Sequence, residues 1–489
     1  MFREGFGAMD KLYLARVTIA AGTLVGNDNG SIASFFGVPY AEPPQAAARF
    51  AAPEHVKPWV GDRTAQEYGA TAPQPRRDSF GSLDMKPYFG PGWVRGENYL
   101  NVNIWTPSAQ LANTTSALLP VMVFVHGGGF VAGANSAALY DGTRFAQDEV
   151  VFVSVNYRLG VPGFLSVPGT PENRGLMDVI AALRWVQENV TSFGGDPANV
   201  TLMGQSAGAT LISSLLTDPA APGLVRRAII QSGNGEGAFS PAQAHLVTER
   251  LAAALDIPAT FEGFASVDDD AIIDALPNLA GLNLNVDGKL DPLAGLSAFS
   301  LVLEQQPVEL IRSGLAGDVD LMIGTNSQEG NLYLVPTGSY YRTTRADVDA
   351  LRTQTVPEEG GEPTTVATKR LGARRSELLG DRLFVSGTNA LIGARLQAAS
   401  APTFTYKFAW PSPALNGDLG ACHAIELPFV FDNTAMASLH GTSGLLGEEV
   451  APAELASSMH AAWVKFAKQG NPGWNKATVN SLNTKTFGP

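Results

Sequence analysis

The stretch Asn199-Val-Thr-Leu-Met-Gly-Gln-Ser-Ala-Gly-Ala-Thr210 decides the fold. An apolar strand, Val200 to Met203, runs straight into Gly204-Gln205-Ser206-Ala207-Gly208, and a helical run from Ala209 to Leu216 leaves at once on the other side. A serine on so tight a corner must take a strained backbone, and Gly204 and Gly208 omit the side chains that would keep strand and helix apart. Ser206 is then held out at a sheet edge, open to a substrate. With 52 Gly in 489 residues, the five-residue pattern alone would arise by chance about 0.3 times, so its flanks carry the reading.

Outward from this corner, Pro120–Val125 and Glu149–Val155 are continuous apolar runs, as expected of parallel strands covered on both faces. Between the second run and the serine strand, Leu176, Val179, Ile180, Leu183, Val186 and Val190 recur at helical spacing. Downstream, Arg227–Ile230, Asp320–Gly324 and Thr403–Phe408 continue the strand series. Strand, crossover helix and strand in repetition predict an α/β protein with a large, mostly parallel central sheet flanked by helices. Residues 15–40 alternate apolar and polar positions and predict a small N-terminal antiparallel sheet.

Helix-rich insertions at about 240–315 and 343–400 interrupt the series, and no linker divides the chain, so a single domain over 11–489 is expected. Ser266-Val-Asp-Asp269 reads as a capping box on a helix from Asp270 to Leu276. The last helix begins near Pro452, turns Leu455, Met459, Ala462, Trp463 and Phe466 inward and ends at Gly470. The stretch from Pro73 to Gly96, dense in Pro, Gly and aromatics, reads either as a surface loop or as part of the rim of a substrate pocket.

Composition narrows the function classes. Against 33 basic residues stand 46 acidic ones, a net charge of −13 that repels polyphosphate, so no nucleic-acid partner is expected. Cys422 is the only cysteine, which excludes an intramolecular disulfide and a cysteine-rich metal site. Glu4, Asp10 and Lys11 interrupt the opening segment where a secretory signal would be apolar. No apolar run approaches the ~18 residues of a membrane span. The expectation is a cytoplasmic protein, in which the sequons at Asn29, Asn113, Asn189 and Asn199 are chance.

A serine hydroxyl needs a base to take its proton and a third group to hold that base. In this architecture the acid and then the histidine should follow the serine, at the carboxyl ends of later strands. Of the downstream histidines, His460 sits on the apolar stripe of the last helix and reads as structural, and His440 lies in a loop with nothing to fix it. His423, in Gly420-Ala-Cys-His-Ala-Ile-Glu-Leu-Pro-Phe429, is the base of choice. Glu329 lies just past the strand ending at Gly324 and is the acid; Asp318 and Asp320 precede that strand and face the wrong end. Gly127-Gly-Gly129, after a buried strand, can turn bare N–H groups toward a developing oxyanion, and the N–H of Ala207 is a further donor.

These segments resemble the type-B carboxylesterases, a family of α/β-hydrolases that includes para-nitrobenzyl esterases, liver carboxylesterases and cholinesterases. The resemblance covers nearly the whole chain, from Phe36-Gly-Val-Pro-Tyr-Ala-Glu-Pro-Pro44 through Asn101-Val-Asn-Ile-Trp-Thr-Pro107, His126-Gly-Gly-Gly-Phe130, Asn156-Tyr-Arg-Leu-Gly160 and Phe193–Thr201 to Leu427-Pro-Phe-Val-Phe431. It implies Ser206 as nucleophile, His423 as base, Glu329 as its carboxylate partner, and Gly128, Gly129 and Ala207 as the oxyanion hole. It further implies ion pairs of Arg49 with Glu97 and of Arg158 with Asp178. The implied activity is hydrolysis of small to medium neutral carboxylic esters through an acyl-enzyme, without metal or organic cofactor; the oligomeric state, monomer or dimer, is left open.

The chain departs from the family's pattern at three points. Gly96-Glu-Asn-Tyr99 stands where many relatives carry a disulfide cysteine, and Gln205 stands where a glutamate often precedes the serine, which removes a buried charge beside the site. Trp93 is misplaced relative to Glu97 for a choline-binding tryptophan.

Three rival readings are weaker. Gly127-Gly-Gly-Phe-Val-Ala132 fits a dinucleotide fingerprint, but Gly133, Asn135 and Ser136 break the helix it requires. None of the 6 histidines opens an H-E-x-x-H zinc motif. A non-catalytic binding protein on the same fold would have lost the serine, which is present here.

Overall fold

The structure, a computed structural model, describes residues 13–112, 117–352 and 368–489. The opening segment to Lys11, the sequon at Asn113 and part of the second insertion lie outside the described residues.

Among the described residues, 12 strands form one sheet. In chain order the strands are β1 (Tyr13–Ile19), β2 (Gly22–Asp28), β3 (Ile32–Pro39), β4 (Asp62–Thr64), β5 (Ser79–Phe80), β6 (Leu83–Asp84), β7 (Asn101–Pro107), β8 (Leu119–Val125), β9 (Val151–Val155), β10 (Gly195–Gln205), β11 (Arg227–Gln231), β12 (Asp320–Asn326), β13 (Thr403–Phe408) and β14 (Lys485–Phe487). The spatial order is β1-β2-β3-β7-β9-β8-β10-β11-β12-β13-β14, with β4 beside β2 and a separate β5–β6 hairpin. From β9 to β14 every pairing is parallel, whereas β1, β2, β3, β7 and β9 are joined antiparallel. The short antiparallel strands expected at the N-terminus therefore extend the main sheet.

Continuous apolar strands are what a sheet covered on both faces requires. In β8, Val121, Val123 and Val125 enter one core cluster, shared with the helix Arg174–Asn189, while Met122 and Phe124 enter the other, shared with the helix Ala453–Gln469. Successive residues of β9 to β12 divide the same way, as the two-residue period of a strand dictates. Within the last helix Met459, Trp463 and Phe466 are fully buried, and Gly470 ends it at φ 71°.

Two local expectations fail. The helix after Ser266 is Asp269–Ala275, and its N-cap is Asp268, whose carboxylate accepts the Ala271 N–H at 2.8 Å. Ser266 instead donates its hydroxyl back to Gly263 O, at the end of the preceding helical turn. Arg49 does not pair with Glu97, which is exposed; it meets Asp269 at 2.7 Å and donates to the carbonyls of Phe264 and Val267. The first insertion thus delivers both carbonyls and the acid to one buried guanidinium. Arg158 and Asp178 do pair, at 2.7 Å with neither side chain exposed.

Candidate active site

Parallel register brings several chain segments to one edge. Gln205, the last residue of β10, pairs with Gln231, the last of β11, and Gln231 with Gly324 of β12. Ser206 and Ser232 are therefore the first residues beyond the sheet at the same level. Ser206 takes φ 57°, ψ −124°, a conformation that L-residues rarely adopt. Glycines permit this corner: a Cβ on Gly208 would lie 2.2 Å from Val125 O, and one on Gly204 would lie 2.8 Å from the backbone of Gly208.

The two loops that carry Glu329 and His423 are laced together. Gln328 N–H donates to Ala421 O at 2.9 Å, Ala421 N–H to the Gln328 side chain at 2.9 Å, and His423 N–H to Glu329 O at 3.3 Å. His423 Nδ1 lies 2.7 Å from Glu329 Oε2, and His423 Nε2 lies 2.9 Å from Ser206 Oγ. With the Nδ1 proton facing the carboxylate, Nε2 turns its lone pair to the serine hydroxyl. The Gln205 amide reaches the same nitrogen at 3.2 Å. Glu329 Oε1 accepts the Ser232 hydroxyl at 2.6 Å and the Asn326 N–H at 2.7 Å, so the carboxylate cannot turn away. The other histidines lie elsewhere: His460 Nδ1 donates to Val430 O, and His440, which sequence left without a support, is held by the Thr434 carbonyl. Asp320 sits beside Arg227 at the opposite strand ends.

Gly128, Gly129 and Phe130 all have positive φ, at 116°, 64° and 64°. A Cβ on Gly128 would meet Ala132 O at 1.7 Å, so only glycine fits. Phe130 is held by Gly160 N–H and by the edge of Phe164. Gly128, Gly129 and Ala207 border the same cavity as Ser206, and among the described residues their N–H groups donate to no acceptor of the chain. His126 donates Nδ1–H to Gly127 O at 2.8 Å, and burial pushes its pKa down to about 4.

The cavity, of about 120 Å³, is walled by Phe80, Met85, Tyr88 and Phe89 from the 73–96 stretch, by Leu293, Leu296 and Ser297 from the first insertion, and by Leu383 and Phe384 from the second. Of the two readings of 73–96, the pocket rim holds. Sequence reasoning missed Ser232, whose register with Ser206 was a usable signal, and Glu426, which accepts from Asn326 Nδ2 at 2.6 Å and whose pKa burial, then Glu329, raises to about 7. It also missed Phe384 and Tyr333, which lie against His423, and Arg77 in the cavity wall. No helix among the described residues is long and apolar enough to cross a membrane.

Comparison with known proteins agrees in length and shape. A model of the carboxylesterase family matches residues 14–485. The chain is similar to the para-nitrobenzyl esterase of Bacillus subtilis (strain 168), with 34% identity over 474 residues, 93% of this chain and 90% of that protein. It is also similar to the phenmedipham hydrolase of Pseudarthrobacter oxydans, with 32% identity over 471 residues, 94% and 91% of the two chains. A solved PNB esterase superposes with a TM-score of 0.79 at 30% identity, covering 96% of this chain and 95% of that one. A carboxylesterase of Geobacillus stearothermophilus gives 0.76 at 30% identity over 97% and 96%. The chain belongs to the carboxylesterase family, with the α/β-hydrolase fold and the activity of a serine carboxylic ester hydrolase.

Proposed function

We propose that Ser206, His423 and Glu329 hydrolyse small to medium carboxylic esters through an acyl-enzyme. Ser206 Oγ attacks the ester carbonyl while His423 Nε2 takes the hydroxyl proton, and Glu329 holds the imidazole in the tautomer that makes this possible. Charge on the tetrahedral oxyanion is met by the N–H groups of Gly128, Gly129 and Ala207, donors that need no reorganisation as it develops. The imidazolium returns its proton to the departing alcohol, and a water deprotonated by the same Nε2 then releases the acid. The helical insertions act as a cap whose apolar walls receive the uncharged parts of the acyl and alcohol groups. Gln205, being uncharged, offers a substrate cation no partner.

The observation that carries this reading is the unbroken contact chain from Ser206 Oγ through both nitrogens of His423 to a carboxylate whose second oxygen is already occupied. Ser206→Ala is expected to abolish turnover of a 4-nitrophenyl ester, and a fluorophosphonate probe is expected to label the wild-type protein at Ser206 alone. Wild-type rates in the variant, or labelling elsewhere, would overturn the assignment.

A further inference from the structure

Among the described residues bordering the Ser206 cavity, Arg77 is the only Arg, Lys, Asp or Glu; the wall is otherwise glycine, apolar, aromatic and uncharged polar apart from His423. Its guanidinium makes no hydrogen bond or ion pair with the described residues. The neighbouring acid, Asp78, is taken by Arg76 at 2.5 Å. The position is built: Arg77 leads into the β5–β6 hairpin, which is pinned by Met85 N–H to Asp78 O, Asp84 N–H to Ser443 O and Ser82 N–H to Pro336 O. Phe80 of this hairpin meets Tyr333 at 5.6 Å, and Tyr333 in turn lies 5.8 Å from the His423 ring, so the arginine wall and the reacting groups share one aromatic frame. Burial pushes the guanidinium pKa down and the Tyr333 phenol opposes this only in part, the mark of a cation drawn out of water without a carboxylate to compensate it.

A guanidinium in that setting has five donors and no acceptor of its own, and its fork matches a carboxylate. We propose that Arg77 binds an anionic group of the substrate, so that the enzyme prefers esters bearing one free carboxylate, such as monoesters of dicarboxylic acids, over neutral esters of the same length. The inference deepens the ester-hydrolase reading and rests on it. The net charge of −13 does not oppose it. Exposed carboxylates more than about 8 Å away are screened at physiological salt, whereas a pair formed inside the apolar cavity is not.

The test compares kcat/KM for 4-nitrophenyl hydrogen glutarate with that for 4-nitrophenyl valerate, which carries the charge question on the acyl side. A second arm compares 4-carboxyphenyl butyrate with 4-methylphenyl butyrate, on the alcohol side. In Arg77→Met the anionic-to-neutral ratio is expected to fall 10- to 100-fold in one arm, about the worth of one charge-assisted hydrogen bond, chiefly through KM; Arg77→Lys should restore part of it. Ratios unchanged within about twofold in both arms, or an equal fall for anionic and neutral esters, would overturn the proposal. Turnover of valerate by the wild type reads the ester-hydrolase assignment separately. Calorimetric binding of the glutarate monoester to Ser206→Ala protein, with and without Arg77→Met, reads the anion site without turnover; equal affinities would also overturn it.

Discussion

The Phe384 ring lies flat on the His423 imidazole, with centroids 4.1 Å apart and planes 10° apart. Phe384 belongs to a π-helical turn, Asp381–Val385, between the helices Thr368–Gly380 and Ser386–Ala398. Such turns insert an extra residue into a helix and re-aim its side chains. A face-on ring stops the imidazole from swinging off the serine, and small misplacements of a reacting group cost up to ~10²-fold in rate. Phe384→Ala is expected to lower kcat for a 4-nitrophenyl ester 10- to 100-fold, with Phe384→Leu intermediate and circular dichroism unchanged. An unaltered kcat would reduce the ring to a pocket wall.

Glu329 differs from a simple counter-charge because its Oε1 is saturated by Ser232 and Asn326 while Oε2 alone serves the imidazole. Glu329→Gln keeps the shape but puts an amide where an acceptor is needed, and should lower kcat by about 10⁴ through the wrong tautomer. Ser232→Ala leaves the Asn326 N–H in place and should cost only about tenfold, roughly one hydrogen bond to a charged group. Single-turnover rates of the two variants separate the roles; equal losses would mean that Ser232 does more than steady the carboxylate.

What sequence revealed and what it hid divide along a physical line. Ser206, Glu329 and His423 each follow a strand of the parallel sheet, and parallel pairing carries those strand ends to one edge, so strand order was enough to nominate them. The glycine loop proposed as the oxyanion hole was legible because Gly128 allows no side chain. Phe384, Tyr333 and Arg77 reach the site from insertions and loops whose path depends on packing between distant segments, and no periodicity encodes that. The same cause misled the reading of Arg49: Asp269 arrives on a folded insertion, while Glu97, nearer in sequence, stays exposed.

Two glycines separate strain from entropy. Gly128→Ala would drive a Cβ to 1.7 Å from Ala132 O at φ 116°, which must displace the loop that presents its N–H groups. A loss of 10²–10³ in kcat is expected, as for removal of one oxyanion donor. Gly393, inside the helix Ser386–Ala398, has nothing within 4 Å of an added Cβ among the described residues. Gly393→Ala should therefore stabilise the protein by about 0.5–1 kcal/mol, seen as a raised Tm with kcat unchanged. A lowered Tm would mean that the helix cannot accept the methyl group.

Glu426 titrates against the fold. Burial first, and Glu329 second, raise its pKa from the ordinary 4.5 to about 7, so between those values the folded protein keeps a proton that the unfolded chain has released. Stability from this group is therefore present below pH ~4.5 and lost as pH rises toward ~7. Buried His126 acts in the opposite sense: its pKa is pushed down from 6.5 to about 4, and its contribution is lost as pH falls through that interval. In the wild type the two slopes offset each other over their shared range, so the informative quantity is a difference. Unfolding free energy of Glu426→Gln minus that of wild type, from urea melts at pH 5, 6, 7 and 8, should rise with pH by about 1 kcal/mol per unit up to pH ~7 and then level off. The hydrogen bond altered at Asn326 Nδ2 shifts the whole curve by a constant and leaves its slope alone, so a flat difference would show that Glu426 is ionised in the folded protein throughout.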